Sequence, residues 1–144
     1  MKLTISTTVN QPWQKVTEGF TEKLFMSLNP PFPPVKLLKF DGCHKDDIVS
    51  LELNFLLFKQ TWESLITSDE TSSTHFQFVD EGVKLPFFLA RWVHRHRIEA
   101  SDDGTAIIDA IEFSTGTWLT DLLFWPVLYG QFAYRIPIYK RFFR

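Results

Sequence analysis

The feature that most constrains the fold is the order of two hydrophobic patterns along the chain. Residues 35–114 contain short segments in which apolar and polar side chains alternate, and this is the period of a half-buried β-strand. From Thr117 to the C-terminus the chain is apolar around most of a helix. An antiparallel sheet has to bury its apolar face, and this helix is the largest element available to cover it. The sequence therefore predicts an α+β fold in which one sheet curves around a long C-terminal helix.

The expected order of elements is strand, short helices, six strands and long helix. Residues 2–9 alternate as a strand, and residues 13–28 have apolar side chains at helical spacing before a proline-rich connector. The six further strands are expected at residues 35–40, 47–55, 59–66, 74–79, 89–99 and 105–114. One long helix should begin near Thr117 and bend at Pro126, with a second bend at Pro137. No repeat or linker divides residues 1–144, so one domain is expected.

Composition narrows the classes of function. The 15 Phe and 5 Trp raise the aromatic content to 16%, so aromatic rings either fill a bulky core or line a cavity. A net charge of −2 offers no broad attraction for nucleic acid, and no nucleic-acid partner is expected. Cys43 is the only cysteine, which allows no intrachain disulfide and fits a reducing compartment. Since no signal peptide or membrane-spanning stretch is evident, a cytoplasmic location is expected.

Several motifs carry a resemblance to a known family. They are NPPFPP at 29–34, FVD at 78–80, LPF at 85–87 and WVHRHRI at 92–98, with further agreement at 109–113 and 133–135. Together they resemble the START/SRPBCC superfamily, also called the helix-grip or birch-pollen-allergen-like fold. More narrowly they resemble an uncharacterised bacterial branch of ligand-binding SRPBCC domains.

The resemblance covers nearly the whole chain. It implies a seven-stranded curved antiparallel sheet wrapped around a long C-terminal helix, with two short helices after the first strand. It implies neither a metal nor a cofactor. Because the superfamily includes lipid carriers, plant hormone binders and polyketide cyclases, the resemblance alone does not select one activity.

The strand WVHRHRI carries the strongest candidates for a site. By alternation His94 and His96 share one face with apolar neighbours, whereas Arg95 belongs to the opposite, mostly charged face. The histidines should therefore point inward. On the next strand Asp109 is the one charge of an apolar face. A hairpin closed at residues 100–104 would place His96 opposite Asp109, and a register shift of two residues would place His94 there.

Three interpretations of this histidine–aspartate pair stay open. The two groups satisfy each other inside the core, they bind one oxygen of an apolar ligand, or two histidines and one aspartate imitate a metal-binding triad. No further metal ligand is evident, so no metal is expected. The predicted ligand-binding residues are Trp62, Phe78, Trp92, His94, His96, Asp109, Ile111, Phe113, Trp125 and Tyr129.

The leading functional hypothesis is binding or carriage of a hydrophobic small molecule, such as a lipid, isoprenoid or polyketide-like compound, between the sheet and the C-terminal helix. No nucleophile or phosphate-binding motif appears, so no catalytic residue is assigned. The alternative is a cyclase- or dehydratase-like enzyme that uses His94, His96 and Asp109 for acid–base chemistry. The aromatic C-terminal helix has a basic end, which suggests a membrane-surface contact or a homodimer. Cys43 is expected in an exposed turn.

Overall fold

The alternating segments form strands in the computed structural model, which describes residues 1–144. The strands are β1 (Lys2–Val9), β2 (Val35–Phe40), β3 (Ile48–Asn54), β4 (Lys59–Thr71), β5 (His75–Lys84), β6 (Arg91–Ser101) and β7 (Gly104–Ser114). The helices are α1 (Trp13–Glu18), α2 (Glu22–Ser27), α3 (Trp118–Ala133) and α4 (Arg135–Phe142). The predicted α+β class and the two short helices after the first strand are confirmed.

All seven strands belong to one antiparallel sheet in the order β1-β7-β6-β5-β4-β3-β2. Strands β2 to β7 follow one another as neighbours, and β1 pairs with β7. The register shifts within the β2–β3 and β4–β5 pairs, as at a β-bulge. Because bulges bend a strand and increase its twist, these shifts help the sheet curve around the helices.

The hairpin of β6 and β7 has the predicted register, with His96 opposite Asp109. Gly104 follows the turn with φ +142°, and a Cβ at this position would lie 2.2 Å from the carbonyl oxygen of Val9. Glycine is therefore required there on both counts. Along β6 the histidines are buried and Arg95 is exposed, which confirms the predicted faces.

Strands β4 and β5 extend further than their hydrophobic patterns indicated. We expected a loop from residue 80, but β5 continues to Lys84, and Asp80 pairs with His94 of β6. The polar residues Asp80 and Glu81 have low strand propensity. Hydrogen-bonded neighbours on both sides hold them in the sheet nevertheless.

The C-terminal segment begins where predicted but is two helices rather than one. Thr117 is the N-cap of α3, and its Oγ1 accepts a hydrogen bond from the Thr120 amide at 3.2 Å. Pro126 lies inside α3, whereas the chain breaks at Tyr134. Pro137 explains this break, since it cannot donate to the Ala133 carbonyl and its ring would clash with that group.

None of the helices has both the length and the apolar character that a bilayer crossing requires.

Two apolar clusters fill the space between helices and sheet. One packs α1, α2 and α4 against the sheet and includes Leu24, Phe78 and Tyr139. The other packs α3 and includes Trp92 and Phe132. Along β6 and β7 the side chains of His94, His96 and Asp109 lie between residues of these clusters. The polar groups thus occupy the middle of the concave face.

Candidate ligand-binding site

A cavity of about 420 Å³ lies between the concave face of the sheet and the helices. The walls come from β2 to β6, from α2 with its proline-rich connector, and from α3. Of the 28 lining residues 19 are hydrophobic, including Trp62, Phe78, Trp92 and Phe132. Such a wall favours an apolar occupant because each buried aromatic or aliphatic surface removes apolar area from water.

The ionisable groups of the cavity wall are Asp80 of β5, His94 and His96 of β6, and Arg135 of α4. The first three belong to a buried cluster that Asp109 of β7 completes from behind the wall. Because three adjacent strands present these side chains to the same face, the cluster follows directly from the period of two along each strand.

Each histidine bonds the carboxylate that lies diagonal to it rather than the one opposite. His94 Nε2 is 2.8 Å from Asp109 Oδ1, and His96 Nε2 is 2.7 Å from Asp80 Oδ2. Asp109 therefore bonds one of the two histidines, as expected, but this is His94 and not His96, although the predicted register is right. Since Asp80 occupies His96 Nε2, only the other ring nitrogen approaches Asp109, at 3.6 Å.

The two imidazole rings stack between the two carboxylates. Their centroids are 3.6 Å apart and the planes are inclined by 32°. The far face of His96 stacks on Phe78 at 4.2 Å and 8°, while Phe132 meets His94 edge-on at 5.2 Å. These contacts hold both rings in place; His94 Nδ1 also lies 3.5 Å from Asp80 Oδ2, and His96 Nδ1 is left buried with no hydrogen bond.

Burial and hydrogen bonding shift the pKa values of the two carboxylates in opposite directions. Burial alone would raise the pKa of Asp80, but the hydrogen bond from His96 and the nearby His94 outweigh it, so the pKa lies below its usual value. The same balance holds the pKa of Asp109 low, with the His94 hydrogen bond as the main lowering cause. Both carboxylates are therefore ionised near neutral pH. An ionised carboxylate only accepts, so both histidine Nε2 atoms carry the proton.

The pKa of His96 lies at about 4 instead of 6.5, because burial and the nearby His94 lower it more than Asp80 and Asp109 raise it. His96 is therefore a neutral donor at neutral pH.

Acidification from about pH 7 to pH 4 is expected to destabilise the fold by about 3 kcal/mol. His96 titrates near 6.5 when unfolded and near 4 when folded, so the unfolded chain takes up the proton first. The stabilisation is complete above pH 6.5 and is lost as the pH falls towards 4. Below that, protonation of Asp80 and Asp109 continues the loss, because their pKa values are also lowered. Urea unfolding at several pH values across this range measures how the free energy of unfolding changes with pH, which is the slope meant here. His96→Asn should remove most of it, and an unchanged slope in that variant contradicts the assignment.

Two residues of α4 complete the surroundings of the cluster. The Tyr139 hydroxyl donates to Asp109 Oδ2 over 3.5 Å. Burial raises the pKa of Tyr139, with the charge of Asp109 adding to the effect, so the hydroxyl keeps its proton. The Arg135 guanidinium lies 4.2 Å from the centre of the Phe132 ring and reaches the cavity wall. Neither residue was expected at the site, since one long helix with bends at Pro126 and Pro137 was predicted here instead of two helices.

The arrangement of Asp80, His94 and His96 also bears on the metal interpretation. Each offers one ligand atom, and these atoms lie within 4.8 Å of one another. A histidine binds a metal along the lone pair in its ring plane, and stacked rings direct those lone pairs side by side. Both Nε2 atoms are also engaged by carboxylates. The geometry thus suits a hydrogen-bonded network better than coordination of one shared ion.

The structure brings half of the predicted ligand-binding residues to the cavity. Trp62, Phe78, Trp92, His94 and His96 line it. The other five predicted residues lie elsewhere: Asp109 behind the histidines, Ile111 and Phe113 in the core under α3, Trp125 half-buried beside β1, and Tyr129 exposed and stacked on Trp125. The Trp125 indole donates to the Lys2 carbonyl at 2.9 Å, which turns it away from the cavity.

Asp80 is the member of the buried polar cluster that was not predicted from the sequence. The alternation of Phe76 and Phe78 predicts its inward direction once the strand is extended by two residues.

Cys43 has no role in the site. We expected an exposed turn, but its side chain is buried against the Phe20 carbonyl, with a sulfur–oxygen distance of 3.6 Å. Burial raises the pKa of the thiol to about 12, with Asp47 and Asp80 contributing. The thiol therefore remains protonated and unreactive.

No family model and no curated protein sequence matches the chain. Among solved structures, the Zhui aromatase/cyclase from Streptomyces sp. R1128 is 14% identical with a TM-score of 0.72, over 96% of this chain and 90% of that one. Protein Ms6760 from Mycobacterium smegmatis is 17% identical with a TM-score of 0.66, over 94% and 86%. Ara h 8.0201 is 13% identical with a TM-score of 0.59, over 96% and 97%. At these identities the likeness establishes architecture, and the chain has the helix-grip fold.

Proposed function

We propose that this chain binds or carries a hydrophobic small molecule, of lipid, isoprenoid or polyketide-like character, in the cavity between sheet and helices. The observation that carries the proposal is a 420 Å³ space with a mainly hydrophobic wall and one buried polar cluster. This volume falls in the range of small-molecule sites, which typically combine an apolar wall with a few polar groups that orient the ligand.

The polar cluster would orient the ligand within the cavity. An apolar body would pack against Trp62, Trp92 and Phe132, while a ligand hydroxyl would donate to the Asp80 carboxylate. Two carboxylates within an apolar interior are costly to bury unless they are paired. Replacing them with apolar side chains would serve packing at least as well, so their presence supports a role towards a ligand.

The solved structures agree with this proposal. Zhui is named an aromatase/cyclase, and it shares the architecture that places a cavity beneath the helices. Fold alone does not transfer activity. The shared architecture supports the proposal only in that it can accommodate such a cavity. The chemistry of the cavity depends on the residues of this chain. The narrower relation to ligand-binding SRPBCC domains and a cytoplasmic location belong to the same proposal.

A cyclase- or dehydratase-like enzyme is the second candidate, and two short histidine–carboxylate contacts favour it. Contacts of 2.7–2.8 Å are the geometry in which a histidine is oriented for proton transfer. Asp109→Asn separates the two functions. A binder should lose affinity only a few-fold, because the histidines keep an acceptor, whereas an enzyme should lose turnover by about 10²-fold or more.

Native mass spectrometry of the purified chain tests the proposal directly. We expect a population whose mass exceeds that of the polypeptide by one small molecule, and this excess should disappear under denaturing conditions. Extraction into organic solvent should recover the compound. A chain that carries nothing and also fails to bind an apolar fluorescent probe would contradict the proposal.

A further inference from the structure

One end of the molecule exposes an apolar surface that folding does not require. It consists of the β3–β4 turn, the β5–β6 loop and the outer face of α3, and we call it the apolar end. Its residues are Leu56, Leu57, Phe58, Phe87, Trp118, Leu119, Leu122 and Leu123. Leu57 is 95% exposed and Trp118 is 75% exposed. Scattered exposed apolar residues are ordinary, but a group from three neighbouring segments marks an interaction surface.

The apolar end also lacks charge. Residues 54–58, 85–90 and 115–130 contain a single acidic or basic side chain, Asp121. Its carboxylate is turned inward and accepts from the Thr115 amide at 2.6 Å. The outer face of a helix on a water-soluble surface is normally polar, whereas that of α3 carries Leu119, Leu122 and Leu123. This surface therefore suits an uncharged, apolar environment.

The backbone of the β3–β4 turn argues that the exposed leucines are not there for folding. Leu56 has φ +74° and is 78% exposed. A leucine in this left-handed region is strained, and asparagine or glycine would adopt it more readily. The chain thus keeps an apolar side chain at a protruding position where that side chain weakens the fold.

The apolar end borders the opening of the cavity, which the exposed lining residues Met26, Phe32 and Val127 place between the α2–β2 connector and α3. Phe55, Phe88 and Phe124 line the cavity. The ring centroid of Phe88 lies 5.8 Å from that of Phe55 and 5.6 Å from that of Phe124. The same rings contact the exposed ones, since Phe55 lies 5.3 Å from Phe58 and Phe88 lies 5.4 Å from Phe87. Phe32 at the opening lies 6.4 Å from Phe55, so whatever covers the apolar end also reaches the route into the cavity.

We propose that the apolar end inserts into the surface of a lipid bilayer and that the ligand passes between the bilayer and the cavity without crossing water. This inference rests on the proposed binding function. A second copy of the chain seated on this surface would obstruct the opening, whereas a bilayer both covers it and dissolves a hydrophobic ligand. Trp118 at the tip suits the bilayer, because tryptophan prefers the interface between headgroups and acyl chains.

The surface differs from the aromatic, basic C-terminal helix expected from the sequence. The basic residues lie on α4, where Ile138 and Tyr139 pack into the core and Arg135 reaches the cavity. The segments of the apolar end contain no cation, and of the three that flank them Lys59 pairs with Glu52 and Arg91 with Glu112, which leaves only Lys84, so insertion should not depend on anionic lipid. Binding to neutral phosphatidylcholine vesicles should therefore change little with salt, since screening acts only on charge.

Flotation with phosphatidylcholine vesicles tests the inference. The wild-type chain should float with the vesicles, and Leu57→Glu should reduce the bound fraction by about tenfold or more, because a charge replaces an inserted side chain. Leu38→Glu is the matched control, as Leu38 is 48% exposed on β2 outside the apolar end. It should bind vesicles like the wild type. Both variants should bind a fluorescent probe normally in solution, so a failed vesicle test remains distinct from a failed ligand-binding test.

Leu56→Asn provides a second test with two readouts of opposite sign. Relief of the positive φ should raise the melting temperature by a few degrees, while loss of the apolar side chain should weaken vesicle binding. A purely structural leucine would give a lower melting temperature instead. The inference is overturned if the wild-type chain does not bind vesicles. It is also overturned if sedimentation shows a dimer that Leu57→Glu converts to a monomer while vesicle binding is unchanged.

Discussion

Asp109→Ala is expected to destabilise the fold by about 3–5 kcal/mol, because removing one partner of a buried charged network leaves the others unsatisfied. The His94 Nε2 proton would lose its acceptor at 2.8 Å, and the Tyr139 hydroxyl would lose its only partner. Asp109 is 2% exposed, so water cannot replace either contact without opening the core. Urea unfolding monitored by circular dichroism measures the change.

Two variants give this prediction its controls. Asp109→Asn preserves the shape and an acceptor for His94, so it should cost clearly less than the alanine substitution. Asp103→Ala, in the exposed β6–β7 turn, should change stability by less than about 0.5 kcal/mol. If Asp109→Ala unfolds at the same urea concentration as the wild type, the carboxylate does not support the histidines as described.

The sequence predicted the sheet well because strand alternation there is strong. In β6 and β7 every second residue is buried, so the inward direction of His94 and Asp109 follows from the period alone. The turn chemistry at Gly104 then determines the register. Where polar residues continue a strand, as at Asp80, the alternation of apolar and polar residues is lost, although the hydrogen bonds between the strands continue.

The helical part of the site could not be predicted in the same way. Nearly all sides of α3 are apolar, so its sequence does not indicate which side faces the sheet. Trp125 and Tyr129 were expected in the cavity, but they stack on each other outside it at 5.3 Å. Phe124, Val127 and Leu128 line the cavity instead. The size of the cavity depends on how α3 is rotated about its axis and on the curvature of the sheet. Both are set by tertiary packing.

The central claim is that the cavity binds an apolar ligand, and Ser64→Trp is expected to weaken that binding by about 10–100-fold. Ser64 is buried on β4 and lines the cavity, so an indole at this position would occupy space that the ligand needs. The substitution removes an acceptor from the Trp62 indole, 3.2 Å away, and its fold must be verified by circular dichroism. Ser6→Trp is the matched control, since Ser6 is exposed on β1 and the sheet separates it from the cavity.

Fluorescence titration with an apolar naphthalene probe is the measurement that tests this claim most directly. The wild-type chain and Ser6→Trp should bind one probe molecule with the same affinity, and a folded Ser64→Trp variant should bind it at least tenfold more weakly. Equal affinity in all three proteins would place the probe outside the cavity and contradict the account.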